Sequence, residues 1–488
     1  MRLKTPLIAA ATTTALPASR QLKRSLDITT VLHNQRPRLE RELLKRELKA
    51  TLRLALPLVF GQLASIGMNV IDALLAGHLN AHTLGAVAIG TGVWLLVIVV
   101  TMGVMMSLPP SIAQLHGAGR RTAIAPLFRQ ALWLALALGV LLGVGVYFGG
   151  ALLIAKIGID PNLVPDVIRF LHAIAFGAPA LTVFFALRGL GEGIGLTRPT
   201  MYFSLLGLVL LAPIGYVLMY GAFGLSGLGA RGSGIATAVV LWLQTIAFSV
   251  YVARSRRYRD LDLLAHFEKP DSRALRGLLH IGIPMSVSLL MEAGLFVAVA
   301  LALGTLGTDV VASHQVAINF ASVTFMVPLG IAMATTVRVG HAVGRGDGQG
   351  VRDAGLIGIG FALIAQSVSA GLMLLLPRQI ASLYTHDAGV MALAAQLLVL
   401  AGIFQFSDGI QATANGALRG LKDTRVPMVI TMFAYWGIGM PVGWWLAFTH
   451  GLGARGMWMG LIAGLSVAAV LLSRRFWKLT RSVKEATV

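Results

Sequence analysis

Apolar residues run along this chain in blocks too long for the core helices of a soluble domain. Between Arg53 and Arg120 the only Asp, Glu, Lys or Arg is Asp72, and between Arg276 and Arg338 there are only Glu292 and Asp309. A helix that crosses a membrane needs about 20 mainly apolar residues, so each stretch holds two spans and a short loop. The same pattern predicts six spans near residues 54–76, 84–110, 127–154, 166–187, 199–221 and 233–253. A second six follow near 277–303, 310–336, 354–376, 389–415, 427–447 and 456–473. Strands of a membrane β-barrel alternate apolar and polar over about ten residues. Segments such as Trp133–Tyr147 are apolar on every side instead. The pattern therefore predicts an all-α integral membrane protein of twelve transmembrane helices, divided by the charged segment Arg254–Arg276 into two six-helix lobes.

The two halves share short stretches. Ala186-Leu-Arg-Gly-Leu190 recurs as Ala417-Leu-Arg-Gly-Leu421, and His116-x-x-Gly119-Arg120 as His341-x-x-Gly344-Arg345. Pro57 pairs with Pro284, and the three offsets are 231, 225 and 227 residues. Matches in the same order and at the same place in each half imply a duplication, hence a two-fold axis along the membrane normal, as in carriers whose halves rock about a central site.

Charge adds sidedness. Of 488 residues 56% are hydrophobic and 12% charged, against about 25% charged in soluble domains. Yet the net charge is +20. Of the 40 Lys and Arg, 35 fall in the two tails, the central segment and alternate loops, leaving Lys156, Arg169, Arg231, Arg378 and Arg455 opposite. The positive-inside rule then puts both termini in the cytoplasm, in a multi-pass protein of the cytoplasmic (inner) membrane. The basic charge is accounted for by topology and membrane lipids, so no nucleic-acid partner is expected. The predicted organisation is a basic, disordered cytoplasmic tail (1–45), an N-lobe (46–253), a cytoplasmic linker (254–276), a C-lobe (277–475) and a cytoplasmic C-terminal tail (476–488). The first residues lack the apolar core of a secretory signal. The absence of Cys excludes thiolate chemistry. No Walker P-loop, Gly-x-Ser-x-Gly or His-Glu-x-x-His motif is present, so neither an enzyme nor a resident cofactor is expected.

Sorting the 20 acids by depth leaves three inside spans, Asp72, Glu292 and Asp408, with no Lys or Arg at core depth to pair them. An ionised carboxylate in hydrocarbon is costly. Such an acid holds a proton, binds a cation or faces a water-filled cavity, which is what an ion-coupled carrier requires. Gln315 and Asn319 in span 8, and Gln405 and Gln411 in span 10, are candidate oxygen ligands for a hard cation such as Na⁺ at Glu292 and Asp408. Gln411 and Phe404 lie three and four residues from Asp408, so they share its helix face. The Phe404 ring is a candidate contact for an organic cation.

Several stretches together resemble the multidrug and toxic compound extrusion (MATE) transporters, in particular the NorM-type branch. They are Gly67-Met-Asn-Val-Ile-Asp72, Phe185-Ala-Leu-Arg-Gly-Leu-Gly-Glu192, Ser313-His-Gln-Val-Ala-Ile-Asn319 and Phe404-Gln-Phe-Ser-Asp408-x-x-Gln411. The resemblance covers roughly residues 45–475. It implies a V-shaped pair of lobes and a monomeric antiporter. Such an antiporter exports organic cations and amphiphilic drugs in exchange for inward Na⁺ or H⁺. It also implies cation coupling at Glu292 and Asp408, with a protonation or substrate role for Asp72. The alternatives are a lipid-linked oligosaccharide flippase of the same superfamily and a membrane-embedded enzyme.

Overall fold

The structure is a computed structural model that describes residues 18–156, 158–222, 224, 226–263 and 268–485. The chain separates into a unit ending at Ala50 and a compact unit from Thr51 onward, and the second carries the features below. Of the predicted N-terminal tail, residues 1–17 lie outside the described residues, as do 486–488 of the C-terminal tail. From Ala18 the backbone is helical. The run Arg38–Ala50 is built almost wholly from Leu, Glu, Lys and Arg, which lose little rotamer freedom in a helix.

The first half contains α1 (Ala18–Leu79), then α2 (Ala81–Met105) running into α3 (Leu108–Gly117). Next comes α4 (Ile124–Val144), continued by a π-helical turn, Gly145–Gly150, and α5 (Ala151–Lys156). It closes with α6 (Val164–Ala175), α7 (Ala178–Gly193), α8 (Arg198–Tyr216) and α9 (Gly229–Arg254). After the short α10 (Arg256–Arg259), the second half holds α11 (Ser272–Gly304), α12 (Thr308–Gly344), α13 (Gly348–Leu375) and α14 (Pro377–Ser382). It ends with α15 (Ala388–Gly420), α16 (Arg425–Met432), α17 (Met440–Trp444) and α18 (Ala454–Glu485). Among the described residues there is no strand, and eleven helices are long and apolar enough to cross a membrane. The twelfth span is α6 with α7, bent by 45°. Pro179 in the first turn of α7 explains the break, because its ring removes a donor and clashes with the preceding turn. All twelve predicted spans are present.

Acids outside the spans do local work. Asp271, Asp347 and Asp387 cap α11, α13 and α15 by accepting backbone N–H groups that the helix cannot satisfy. The central linker, described except for residues 264–267, is pinned to the start of α4. Arg129 pairs with Glu268 and donates to the carbonyls of Asp262 and Leu263.

The two halves meet along a seam of small residues. A Cβ on Gly103 would strike Ser286, and one on Gly330 would strike Val59. Gly117 faces the carbonyl of His341, and Gly344 faces that of Gln114. Gln114 Nε2 donates to the Gly420 carbonyl at 2.9 Å, while His341 Nε2 lies 2.8 Å from the Gly193 carbonyl. Each contact is the image of its partner under a constant offset of 227 residues, the offset of Pro57 and Pro284. Two of the sequence matches are therefore corrected. The Ala-Leu-Arg-Gly-Leu motif, at offset 231, stands four residues out of structural register. Four residues is close to one helical turn, so the motif keeps its face. The residue equivalent to His341 is Gln114, not His116. Leu58, Met106, Met285 and Met333 fill the apolar part of this seam. Without a hydrophobic drive between helices in lipid, such close backbone approach is what holds membrane helices together.

Candidate functional site

Glu292 and Asp408 come together in the second half. They sit on α11 and α15, and each lies within electrostatic reach of the other and of the Tyr435 hydroxyl. Neither carboxylate has a hydrogen bond or an ion pair among the described residues. Asp408 is 4% exposed, whereas Glu292 is half-buried. Tyr435 is fully buried and sits in another π-helical turn, Phe433–Gly439, which widens the helix between α16 and α17. Such π-turns recur where a helix must aim a functional side chain. Gln411 Nε2 donates to Tyr435 Oη at 2.7 Å, and the buried Gln411 Oε1 has no partner. Two acids, a phenol and a free amide oxygen thus converge without a fixed cation. No cluster of three or more His, Cys, Asp or Glu that could hold a metal ion exists among the described residues.

Asp72 lies apart from that pair, in the first half. It is 8% exposed and is held from α9: Ser233 Oγ donates to Oδ1 at 2.7 Å and Thr237 Oγ1 to Oδ2 at 3.4 Å. Ser233 and Thr237 are one turn apart, so one helix face supplies both donors.

The neutral candidates divide. Gln411 joins the acid pair. Phe404 is 2% exposed and packs edge-on against Phe296 and Trp458, so it belongs to the core of this half. Gln315 and Asn319 are exposed and, among the described residues, bond each other at 3.4 Å and show no tie to the acids. Gln405 is closed in a buried network: it donates to Thr324, accepts from Gln366, and Gln366 accepts from Ser369. Helical spacing placed Phe404 and Gln411 on one arc with Asp408, but only packing decides which part of an arc faces a neighbouring helix.

The sequence reading missed Ser233, Thr237 and Tyr435, which have no local signal because their partners are 161, 165 and 24 or more residues away. It also missed a buried ion pair at the seam. Arg188 Nε meets Glu192 Oε1 at 2.6 Å with both side chains nearly inaccessible. The i,i+4 spacing of opposite charges was the available signal. Arg188 reaches Met333 Sδ at 3.2 Å, and Arg419 reaches Met106 Sδ at 3.5 Å. Both arginines thus cross into the other half and touch residues related by the 227 offset. Arg419 Nε has no partner, and its guanidinium lies within electrostatic reach of Glu192.

Twelve spans in two related halves, with unpaired acids at membrane depth, define a multi-pass membrane transporter rather than an enzyme. Comparison with known proteins gives the family. The MatE family model matches residues 57–217 and 284–445, once in each half. Over 435 residues the chain is 50% identical to "Probable multidrug resistance protein NorM" of Xanthomonas campestris pv. campestris, covering 89% of this chain and 95% of that one. It is 41% identical over 442 residues to "Multidrug resistance protein PmpM" of Pseudomonas aeruginosa, covering 90% and 93%. A solved structure described as the outward-facing conformation of a multidrug resistance MATE family transporter aligns with a TM-score of 0.82 at 22% identity. It covers 90% of this chain and 97% of that one. The chain belongs to the MatE (MATE) family.

Proposed function

We propose that this protein is a multidrug efflux antiporter of the cytoplasmic membrane. In this reading it exports organic cations and amphiphilic drugs in exchange for inward Na⁺ or H⁺, acting as a monomer with both termini cytoplasmic. The names of its relatives support multidrug transport, and the 35 basic residues on one side support the orientation. The observation that carries the coupling is the pair Glu292 and Asp408, within electrostatic reach of each other on spanning helices and with no hydrogen bond or ion pair among the described residues.

The physical logic is competition. Two carboxylates without a cation in low dielectric are unstable as a doubly charged pair. They take up protons, a Na⁺ or a cationic drug, and whichever occupies them excludes the others. Gln411 Oε1 and the Tyr435 hydroxyl offer neutral oxygens to a hard cation. Uptake of the coupling ion from outside displaces drug, and its release inside frees the acids for the next molecule. Moving one charge through 100 mV supplies about 2.3 kcal/mol. Asp72 provides a separate acid that drug or a proton reaches in the other half.

Substrate-driven ²²Na⁺ and proton fluxes in proteoliposomes test this reading, with ethidium as substrate. Glu292→Gln and Asp408→Asn are each expected to abolish the coupled flux while the protein stays folded. Normal ethidium efflux by both variants would sink the coupling assignment.

A further inference from the structure

Two of the five basic residues outside the cytoplasmic charge belt, Arg169 and Arg231, line a single cavity. It has a volume of about 450 Å³ and lies between the π-turn after α4, the stretch of α6 from Arg169 to its cap at Phe176, and the first half of α9. Arg231 is exposed and has no hydrogen bond or ion pair among the described residues, while Arg169 shares its charge with Asp166 at 2.9 Å. His172 also lines it, stacked on Tyr147 with ring centroids 4.0 Å apart. The π-turn Gly145–Gly150 carries Tyr147 and so builds this wall.

A second cavity of about 430 Å³ continues from the first, sharing Tyr147, Phe176 and Trp242. Its other walls are wholly apolar, among them Val140, Val144, Phe148 and Pro179, with Gly139 and Gly143 on its floor. Chain direction orders the two. α4 runs toward Tyr147, while α6, α7 and α9 run away from Arg169 and Arg231, so the apolar cavity is the deeper one. Trp242 Nε1 donates to the Phe176 carbonyl at 2.9 Å and holds the boundary between them. A basic mouth at the membrane surface that opens into an apolar furrow at hydrocarbon depth matches an amphiphile with an anionic head. A cationic drug does not fit it, since Arg169 and Arg231 repel one.

We infer that this double cavity binds one anionic phospholipid of the outer leaflet, its phosphate on Arg231 and Arg169 and one acyl chain along the Val140–Val144 furrow. The inference rests on the membrane topology and not on drug export or ion coupling. A basic residue near an anionic headgroup contributes roughly fivefold in affinity, so a pair discounted for Asp166 is expected to give about tenfold.

Native mass spectrometry of the full chain, delipidated in detergent and titrated with dioleoyl phosphatidylglycerol or dioleoyl phosphatidylcholine, tests it. The expected result is about tenfold stronger retention of the anionic phosphatidylglycerol than of the zwitterionic phosphatidylcholine. That preference disappears in Arg169→Gln/Arg231→Gln, and Val144→Trp weakens both lipids by filling the furrow. Glycerol phosphate, which has the head but no chain, is expected not to compete. Equal retention of the two lipids by the native chain overturns the inference. So does an unchanged preference in the double arginine variant whose unfolding midpoint matches the native chain. Displacement by glycerol phosphate alone overturns it as well, by making the mouth a free-anion site.

Discussion

The two halves hold six spans each, with the fourth span bent in the first half and continuous in the second, and they treat their acids in opposite ways. In the first half Asp72 is held by two hydroxyls from one face of α9. In the second half Glu292 and Asp408 lie within electrostatic reach of each other with no hydrogen bond among the described residues, and within reach of a phenol already engaged by Gln411. Hydroxyl donors stabilise a carboxylate modestly and keep it in place. A bare pair pays the full cost of desolvation unless a cation or protons arrive. The difference teaches that one duplicated scaffold carries two kinds of acid site, and under the proposed antiport the bare pair is where ion occupancy would change the energy most.

Neutralising the pair is the sharpest way to break that comparison. Glu292→Gln and Asp408→Asn are each expected to remove coupling altogether. The lost driving force is about 2.3 kcal/mol per charge at 100 mV, or roughly 50-fold in accumulation. Ethidium accumulation ratios in vesicles read it. Asp72→Asn keeps a side chain that Ser233 can still donate to, so it is expected to slow efflux without uncoupling it. An Asp72→Asn variant that abolishes substrate-driven ion flux as completely as Asp408→Asn removes the distinction between the halves.

The seam offers a test of the shared scaffold. Arg188→Gln leaves Glu192 buried without its charge partner, which costs about 3–5 kcal/mol by the usual behaviour of broken buried pairs. Thermal unfolding measures this, and Arg188→Gln/Glu192→Gln is expected to recover only part of the loss, because it also removes the acid within reach of Arg419. Gly117→Val and Gly344→Val place a branched side chain against the carbonyls of His341 and Gln114. Because the two contacts are images of each other, both variants are expected to hold the seam apart to a similar degree. Thiol labelling at single introduced Cys residues reads the opening, and the chain has no native Cys to interfere. Labelling that differs widely between them defeats the two-fold description of this contact.

The smallest expected effects separate lining from packing. Phe404→Leu empties part of a packed aromatic cluster and is expected to cost about 1–3 kcal/mol of stability with ion coupling intact. Gln315→Ala and Asn319→Ala, on exposed positions, are expected to change stability by less than about 0.5 kcal/mol and to leave coupling unaltered. A loss of coupling in either would bring α12 into the site.

Span number, the existence of a duplication and the three membrane acids were legible in the sequence, because hydrocarbon imposes a length and a charge rule on each helix separately. Glu292, Asp408 and Asp72 stood out for that reason. Gln411, three residues from Asp408, was legible from helical period alone. Phe404 was misplaced by the same period, because an arc of a helix spans both a cavity wall and a packed core. Ser233, Thr237 and Tyr435 carried no signal, since Ser, Thr and Tyr are common in spans and acquire meaning only from what stands opposite. The repeat was seen, but its register was not: the Ala-Leu-Arg-Gly-Leu match, near one turn out of phase, satisfies the same face as the true equivalence.

By itself the sequence determined an all-helical chain of twelve spans in two related halves, with acids placed where lipid penalises them. Each of those follows from rules that act on one segment at a time. Tertiary structure alone decided which acids share a site, which acid is satisfied, and how the halves close on one another through glycine contacts at a constant offset. Those depend on the distance between residues far apart in the chain, and distance is set only when the helices pack.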